Sequence, residues 1–312
     1  MAMTPADDGA AESTAADLDA AAAVFTAERP RLFGIAYRML GSVAEAEDIV
    51  QEAWLRWQNY DRAAVREPSA FLTTVTTRLA INEATSAHSR RETYVGPWLP
   101  EPVDTSADPA LGAERGEALE LAVLVLLERL SPVERAAYVL REAFDYPYAR
   151  IATMLEISEA NARQHVSRAR RHLAAGRREP VSHDEQQRLL DAFLVAARVG
   201  DFDALEELLT ADAVSYSDGG GLVRAARIPV TGATKVAKFV AAFAAPFWAG
   251  VDVQPLEANG APAYLVRRDG VPVVLLSVAG TAEGIEQLLW IMNPDKLSRI
   301  GSTSGAGPAA TA

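Results

Sequence analysis

Within Asn161 to Leu173, "NARQHVSRARRHL", Arg163, Arg168, Arg170 and Arg171 stand with Gln164, Ser167 and two histidines and no acid, in a chain of 312 residues with formal net charge -12. Arginine and glutamine are the side chains that fork onto guanine and adenine edges, and neighbouring arginines can neutralise phosphates. At about 100° per residue, Ala162, Val166, Ala169 and Leu173 fall on one stripe, and Arg163, Gln164, Ser167, Arg168 and Arg171 fall opposite. The segment therefore predicts a helix with a packed back and a polar front. Upstream, "YARIATMLEIS" predicts a short helix facing inward through Ile151, Ala152 and Leu155, and Ser158 is placed to cap the next helix. Two short helices with a tight turn make a helix-turn-helix whose front would meet DNA, with Arg170, Arg177 and Arg178 toward phosphates. A solvated arginine-rich surface is the ordinary alternative, but such surfaces mix both signs through i,i+4 pairs. His165 and His172 lack the further ligands a metal would need, and fit the DNA or solvent side.

The elements that must position this cassette follow from composition and punctuation. The length allows two or three domains, and 49% hydrophobic residues is enough for real cores. With no cysteine and only His88, His165, His172 and His183, disulfides and thiolate metal sites are excluded, and neither a metal nor another cofactor is expected. No apolar run approaches the roughly 20 residues a membrane span needs, and the N-terminus lacks the basic start of a signal peptide, so a cytoplasmic protein without a membrane partner is expected. Residues 1–23 hold five acids and no base, 147–178 hold seven arginines against two glutamates, and 179–312 hold ten bases against sixteen acids. A basic island between acidic flanks suits an anionic partner or self-contact within the chain.

Residues 1–23 are expected to be a disordered acidic tail. From 24 to 93 apolar residues recur at three and four (Leu32, Ile35, Met39; Ile49, Val50, Trp54, Trp57; Phe71, Leu72, Val75, Leu79), which predicts a helical bundle. Pro97, Pro100, Pro102 and Pro109 mark a linker at 94–113, although Tyr94, Trp98 and Leu99 are too apolar for an idle one. A second helical block occupies 114–178. In 183–300 a long amphipathic helix and a short one precede predicted strands at 213–217, 263–267, 271–278 and 285–292. Asn259-Gly260 and Asp269-Gly270 signal hairpins, giving an α+β domain with an antiparallel sheet. Residues 301–312 are expected to be disordered. The fold class is thus multidomain: two all-α domains, then an α+β domain.

"LFGIAYRMLGSVAEAEDIVQEAWLRWQ" with "AFLTTVTTRLAINEATSAHSRR" resembles domain 2 of extracytoplasmic-function sigma factors. "LSPVERAAYVLREAFDYPYARIATMLEISEANARQHVSRARRHL" resembles their domain 4. Together they cover about half of the chain. The resemblance implies a subunit that binds RNA polymerase core (beta and beta-prime subunits) and directs it to promoter DNA, domain 2 at the minus 10 element and domain 4 at the minus 35 element. It implies polymerase contacts from Asp48, Gln51, Glu52 and Arg56. Ile49, Val50, Trp54 and Trp57 on the same helix read as bundle core. The loop "YDRAAVREPSA" and the helix after it match the part that melts and reads DNA, with Ser69, Thr74, Arg78, Asn82, Arg90 and Arg91 as minus 10 candidates. Minus 35 contacts fall to Arg163, Gln164, Ser167, Arg168, Arg170 and Arg171.

"WLPEP" and "NPDKL" look like the subgroup of these sigma factors with a fused SnoaL-like domain of cone-shaped α+β fold, understood to regulate the sigma part in the same chain. That resemblance places regulatory contacts at Trp98, Leu99, Pro100, Asp218, Asn293, Pro294, Asp295 and Lys296. The subgroup's Asp-Gly-Gly-Gly-basic motif reads "DGGGL" here, with Leu222 in the basic position. SnoaL-like cones can be enzymes, but this one has only His183 at its edge and the carboxylates Asp218, Asp252 and Asp269, each with a structural explanation, so no catalytic residue is assigned. Phe193, Tyr216, Phe239, Phe243, Trp248, Tyr264 and Trp290 could line a small-molecule pocket or an ordinary core. The chain is expected to be a monomer when free, with the acidic tail and the cone restraining the basic helix. A ligand-responsive helix-turn-helix repressor is the alternative, and it would have no use for the "AEDIVQEAWLRW" helix.

Overall fold

The computed structural model describes residues 8–106, 119–176 and 178–300, without the side chains of 8–16, 88 and 89. The expected C-terminal tail at 301–312, Arg177, Pro109 and the start of the second block at 114–118 lie outside the described residues.

The first block is α1 (Asp8–Leu40), α2 (Val43–Gln58) and α3 (Pro68–Glu92), with a 3-10 turn at Arg62–Ala64 before α3. Ser42 caps α2, its Oγ accepting from the Glu45 amide, and Pro68 opens α3 where its missing N–H costs nothing. Of the span 1–23 expected to be disordered, residues 1–7 lie outside the described residues, and α1 begins at Asp8. Alanine is the strongest helix former, and its small side chain lets α1 approach α2 closely. Ala21 is buried and its carbonyl accepts from Trp57 Nε1 at 3.1 Å.

The second block is α4 (Leu121–Leu127), α5 (Pro132–Glu142), α6 (Tyr148–Leu155) and α7 (Glu159–Ala175). Ser131 and Glu134 form a reciprocal capping box on α5, and Ser158 Oγ accepts from the Asn161 amide to start α7. The two blocks share one continuous core, in which Leu40, Leu72 and Ala80 join Leu130, Val139 and Ile151.

The third domain comprises α8 (His183–Val199), α9 (Phe202–Leu208), β1 (Leu209–Asp218), β2 (Val230–Thr231), α10 (Ala233–Trp248), β3 (Val251–Ala258), β4 (Ala261–Arg268), β5 (Val271–Thr281), β6 (Gly284–Ile291) and α11 (Pro294–Leu297). The strand order is β2-β1-β6-β5-β4-β3. Asn259-Gly260 and Asp269-Gly270 all have positive φ, as two-residue hairpin turns of this kind require. The sheet is mixed rather than antiparallel, because β1 runs parallel to β6, with Tyr216 opposite Leu289 and Asp218 opposite Ile291. Strand β3, absent from the sequence-based assignment, is an edge strand, where Pro255 is tolerated.

Helices α8 to α10 cover one face of this sheet, over Phe193, Val236, Val274, Leu276 and Trp290. Leu265, Leu275, Leu289 and Ile291 on the other face pack with Leu99 of the linker and with Leu121 and Ala122 of α4. The domain's second core is therefore completed by residues from the rest of the chain.

At the β3–β4 turn, buried Asn259 donates to Tyr37 Oη of α1 at 2.7 Å and to the Leu119 carbonyl at 3.1 Å, and accepts from the Val103 amide at 2.9 Å. Tyr37 Oη donates in turn to the Glu101 carbonyl at 2.6 Å. Asn259→Ala would leave these buried groups short of partners and place alanine at positive φ, so it should cost about 2–4 kcal/mol of unfolding free energy. Urea denaturation followed by tryptophan fluorescence measures it.

Candidate nucleic-acid interface

On α7, Ala162, Val166, Ala169 and Leu173 are buried, and Arg163, Gln164, Ser167, Arg168, Arg170 and Arg171 are exposed, as the phasing requires. The cassette's missing acids are partly supplied by its surroundings. Arg163 pairs with Glu159 and lies over the Tyr148 ring, Arg170 meets Glu142 at 2.8 Å, and Arg168 meets Glu134 at 2.8 Å and His165 Nδ1 at 2.9 Å. Arg168 thereby ties α7 to the capping box of α5. Gln164 and Arg171 have no acidic partner among the described residues; Arg171 makes only a long 3.5 Å bond to the Ser167 carbonyl. These two are the base-reading candidates that need break nothing to bind.

On α3, Thr74 bonds the Ala70 carbonyl of its own helix at 2.7 Å, Ser69 is half-buried and Asn82 is exposed. Arg78 donates to the Met154 carbonyl of α6 at 3.0 Å and pairs with Glu156 at 2.9 Å. The minus 10 candidate face thus meets the first helix of the helix-turn-helix. Glu67 of the preceding loop pairs with Arg150 of α6, and Thr73 Oγ1 lies 3.1 Å from Tyr146 Oη. Arg90 is held by Glu45 and Glu83, each at 2.6 Å. Arg91, also expected at the DNA, faces inward here with a side chain only 14% exposed. It bonds Glu128 and the Leu40 carbonyl and stacks 3.6 Å from the Trp98 ring centroid. Burial pulls its guanidinium down to about 10, still charged at neutral pH.

On α2, Asp48 and Gln51 are exposed, and Glu52 pairs with Arg56 at 2.8 Å. Ile49, Val50 and Trp57 are buried, while Trp54 is half-buried against Phe25 at 5.0 Å. Leu55, on the same outward stripe as Asp48 and Gln51, is 45% exposed and was missed by the sequence analysis. Its signal was the break in period: an apolar residue on the charged face of an amphipathic helix.

The regulatory candidates converge on Asp218, which is fully buried. Its carboxylate accepts from Tyr94 Oη at 2.6 Å, the Leu99 amide at 2.9 Å and Lys296 Nζ at 2.7 Å. Lys296 also donates to the Leu99 carbonyl and lies over the Trp98 ring at 4.3 Å. Burial lowers the lysine's pKa, and Asp218 opposes that shift. Asn293 caps α11 through the Asp295 amide and donates to Tyr94 Oη at 2.9 Å, with Pro294 in the first turn. Pro100 is buried and lies beside Gly41, where a Cβ would come within 2.7 Å of the Trp98 ring. The motif glycine Gly220, at φ +60, leaves no room for a Cβ against Asn293 and Tyr94. Leu222 is exposed, and the cation that neutralises Asp218 is Lys296. Glu101 was also missed: its carboxylate accepts from the Val43 amide at 2.8 Å and so joins the linker to the start of α2.

The aromatic set divides between environments. Phe193 and Trp290 meet edge-on at 5.9 Å, and Phe247 packs on Trp248 at 4.7 Å. Phe243 is 44% exposed, and Tyr216 packs on the opposite, linker-covered face of the sheet.

The Sigma-70 region 2 family matches residues 24–90, and the Sigma-70, region 4 family matches residues 120–173. The chain is 42% identical over 225 residues to the ECF RNA polymerase sigma factor SigJ of Mycobacterium tuberculosis, covering 69% of this chain and 70% of that protein. It is 35% identical over 195 residues to the probable ECF RNA polymerase sigma factor SigI of the same species, covering 61% of this chain and 67% of that one. The crystal structure of M. tuberculosis SigJ superposes with a TM-score of 0.71 at 35% identity, covering 89% of this chain and 98% of that chain.

Since Arg168 is already engaged and Arg171 and Gln164 are not, the arginines of α7 should differ on substitution. Arg171→Ala and Gln164→Ala should each weaken binding to a matched duplex by about 1–3 kcal/mol. Arg168→Ala should cost under about 1 kcal/mol in binding and lower the melting temperature, since α7 loses its ion pair to Glu134 of α5. Fluorescence anisotropy on matched and scrambled duplexes, with thermal melts alongside, separates the two effects.

Proposed function

Since the chain belongs to the extracytoplasmic-function sigma factors, which bind RNA polymerase and direct promoter-specific transcription initiation, we propose that its third domain restrains that activity in cis by holding the two sigma domains closed. The supporting observation is the bond from Arg78 of α3 to the Met154 carbonyl of α6. Elements named minus 10 and minus 35 lie about 25 base pairs apart, which at about 3.4 Å per pair is on the order of 85 Å of duplex. Domains that share a core cannot occupy both elements at once, and the face of α3 that would meet the minus 10 element is partly covered by α6. Initiation therefore requires the pair to open.

The front of α7 is exposed in the closed form, so the restraint acts on domain 2 and on the spacing of the domains. This replaces the expectation that tail and cone restrain the basic helix itself. Polymerase is the natural opener: the stripe of Asp48, Gln51, Glu52 and Arg56, with Leu55 added, stands free on α2 for the beta-prime clamp. After opening, Thr74, Arg78 and Asn82 would serve the minus 10 element, and Gln164 and Arg171 the minus 35 element. The boundaries that fit this reading are 24–93 for domain 2, 114–178 for domain 4 and 183–300 for the regulatory domain.

The third domain is read as a non-catalytic clamp. Asp218 is consumed by Tyr94, Leu99 and Lys296, Asp252 accepts from Gln254 at 2.9 Å, and Asp269 forms a hairpin turn. Mutual packing of Phe193, Phe247, Trp248 and Trp290 favours a core over a ligand cavity, so polymerase rather than a small molecule is taken as the trigger. Among the described residues no helix is long and apolar enough to cross a membrane. The site of action is taken to be the cytoplasm because polymerase works there.

Asp218→Ala leaves Lys296 buried without its counter-ion, a loss of about 3–5 kcal/mol at the junction. It should expand the protein in small-angle scattering and raise run-off transcription several-fold at limiting core polymerase, with circular dichroism confirming an intact sheet. Unchanged scattering and transcription would remove the clamp.

A further inference from the structure

Residues 8–23 of α1 precede the segment that matches the family, which starts at residue 24. They belong to a stretch of 23 residues with five acids and no base. Two contacts dock this extension on domain 2. Ala21 is buried with its carbonyl on Trp57 Nε1, and Asp17 pairs with Arg62 in the loop between α2 and α3. The loop, 59–67, combines features that hold single-stranded nucleic acid. Tyr60 is 48% exposed and lies tilted against Phe71, ring centroids 4.5 Å apart, and the loop also carries the cations Arg62 and Arg66. Arg66 has no acidic partner among the described residues, whereas Arg62 does.

Arg62 is fixed in place from the opposite side. Its Nη1 donates to the Gln58 carbonyl at 2.7 Å and to the Trp57 carbonyl at 3.2 Å, which satisfies the C-terminal end of α2. Its Nη2 is held by the Asp17 carboxylate, with the Arg62 side chain 17% exposed. Asp17 is 61% exposed, so the position it fills is open to solvent and to a phosphate.

We infer that the N-terminal extension is an acidic competitor in cis, with Asp17 standing on Arg62 where a phosphate of single-stranded DNA would stand. The inference rests on the reading of loop 59–67 and α3 as the promoter face. It adds a second restraint, independent of the Asp218 junction, that acts on the loop and not on the spacing of the domains. Neutralising Asp17 leaves the buried Ala21 contact untouched, so the charge can be tested without removing the helix.

The test uses the full chain and a short fluorescein-labelled single-stranded DNA, read by anisotropy. Asp17→Asn should tighten binding about two- to fivefold at low salt, in line with an exposed ion pair. The gain should fade as salt screens it, and it should vanish in Asp17→Asn combined with Arg62→Gln. Unchanged or weaker binding by Asp17→Asn overturns the inference, as does a gain that persists without Arg62. Tyr60→Ala and Arg66→Ala in the otherwise unaltered chain separate the two levels. If they weaken binding while Asp17→Asn does nothing, the promoter face stands and the competitor falls. If they too have no effect, the reading of the loop fails and the inference with it.

Discussion

A buried carboxylate must be neutralised or supplied with donors, and the way Asp218 meets that demand organises much of this molecule. It lies at the end of β1, next to a motif whose glycine at 220 leaves space for Asn293 and Tyr94. Beyond the Gly220 amide of its own turn, its partners come from three places: Tyr94 just after α3, the Leu99 amide in the linker and Lys296 on α11. Satisfying one charge therefore fixes the linker against the sheet, and Leu99 then enters the sheet's second core beside Leu275 and Leu289. Trp98 follows, enclosed between Arg91 and Lys296.

This junction is polar where the rest of the core is apolar, and the difference bears on function. Apolar contact is non-directional and tolerates sliding, whereas a buried ion pair with amide and hydroxyl donors fits one arrangement. In the opening proposed above each of those groups would be hydrated, so a closed form held this way is specific without being irreversible. Beside their shared apolar core, the two sigma domains also meet through polar contacts. Arg135 donates to the Met39 carbonyl at 2.5 Å, Arg78 to the Met154 carbonyl at 3.0 Å, and Arg38 lies over the Phe144 ring. A guanidinium serves equally as an interdomain donor and as a phosphate or base contact, so under the proposed opening the same surface would hold the closed form and serve the open one.

The helices of the sigma domains were legible because their signals are local. Ser131-Pro132 with Glu134, and Ser158 before the cassette, start α5 and α7 where the capping rules put them. Period alone separated Val166 and Ala169 from Arg163 and Arg171. The hairpins at Asn259 and Asp269 were legible for a similar reason, since few residues accept positive φ. The parallel pairing of β1 with β6 was not, because strands joined through most of a domain leave no turn to read. Strand β3 was hidden by Pro255, and the helical start at Asp8 by a composition that suits a tail as well as a helix.

For the candidate site, the sequence by itself determined which residues carry charge, which share a helix face and where the chain must turn, because those properties depend on neighbours within a few positions. It thereby placed Arg163, Gln164, Ser167, Arg168 and Arg171 on one polar front. Only the tertiary structure decided which arginines of the chain are already occupied: Arg168 by Glu134, Arg78 by Met154 and Glu156, Arg91 by Glu128 and Trp98, Arg62 by Asp17. An ion pair or a hydrogen bond forms between groups a few ångströms apart in space, and the separation of its partners along the chain leaves no trace in local pattern.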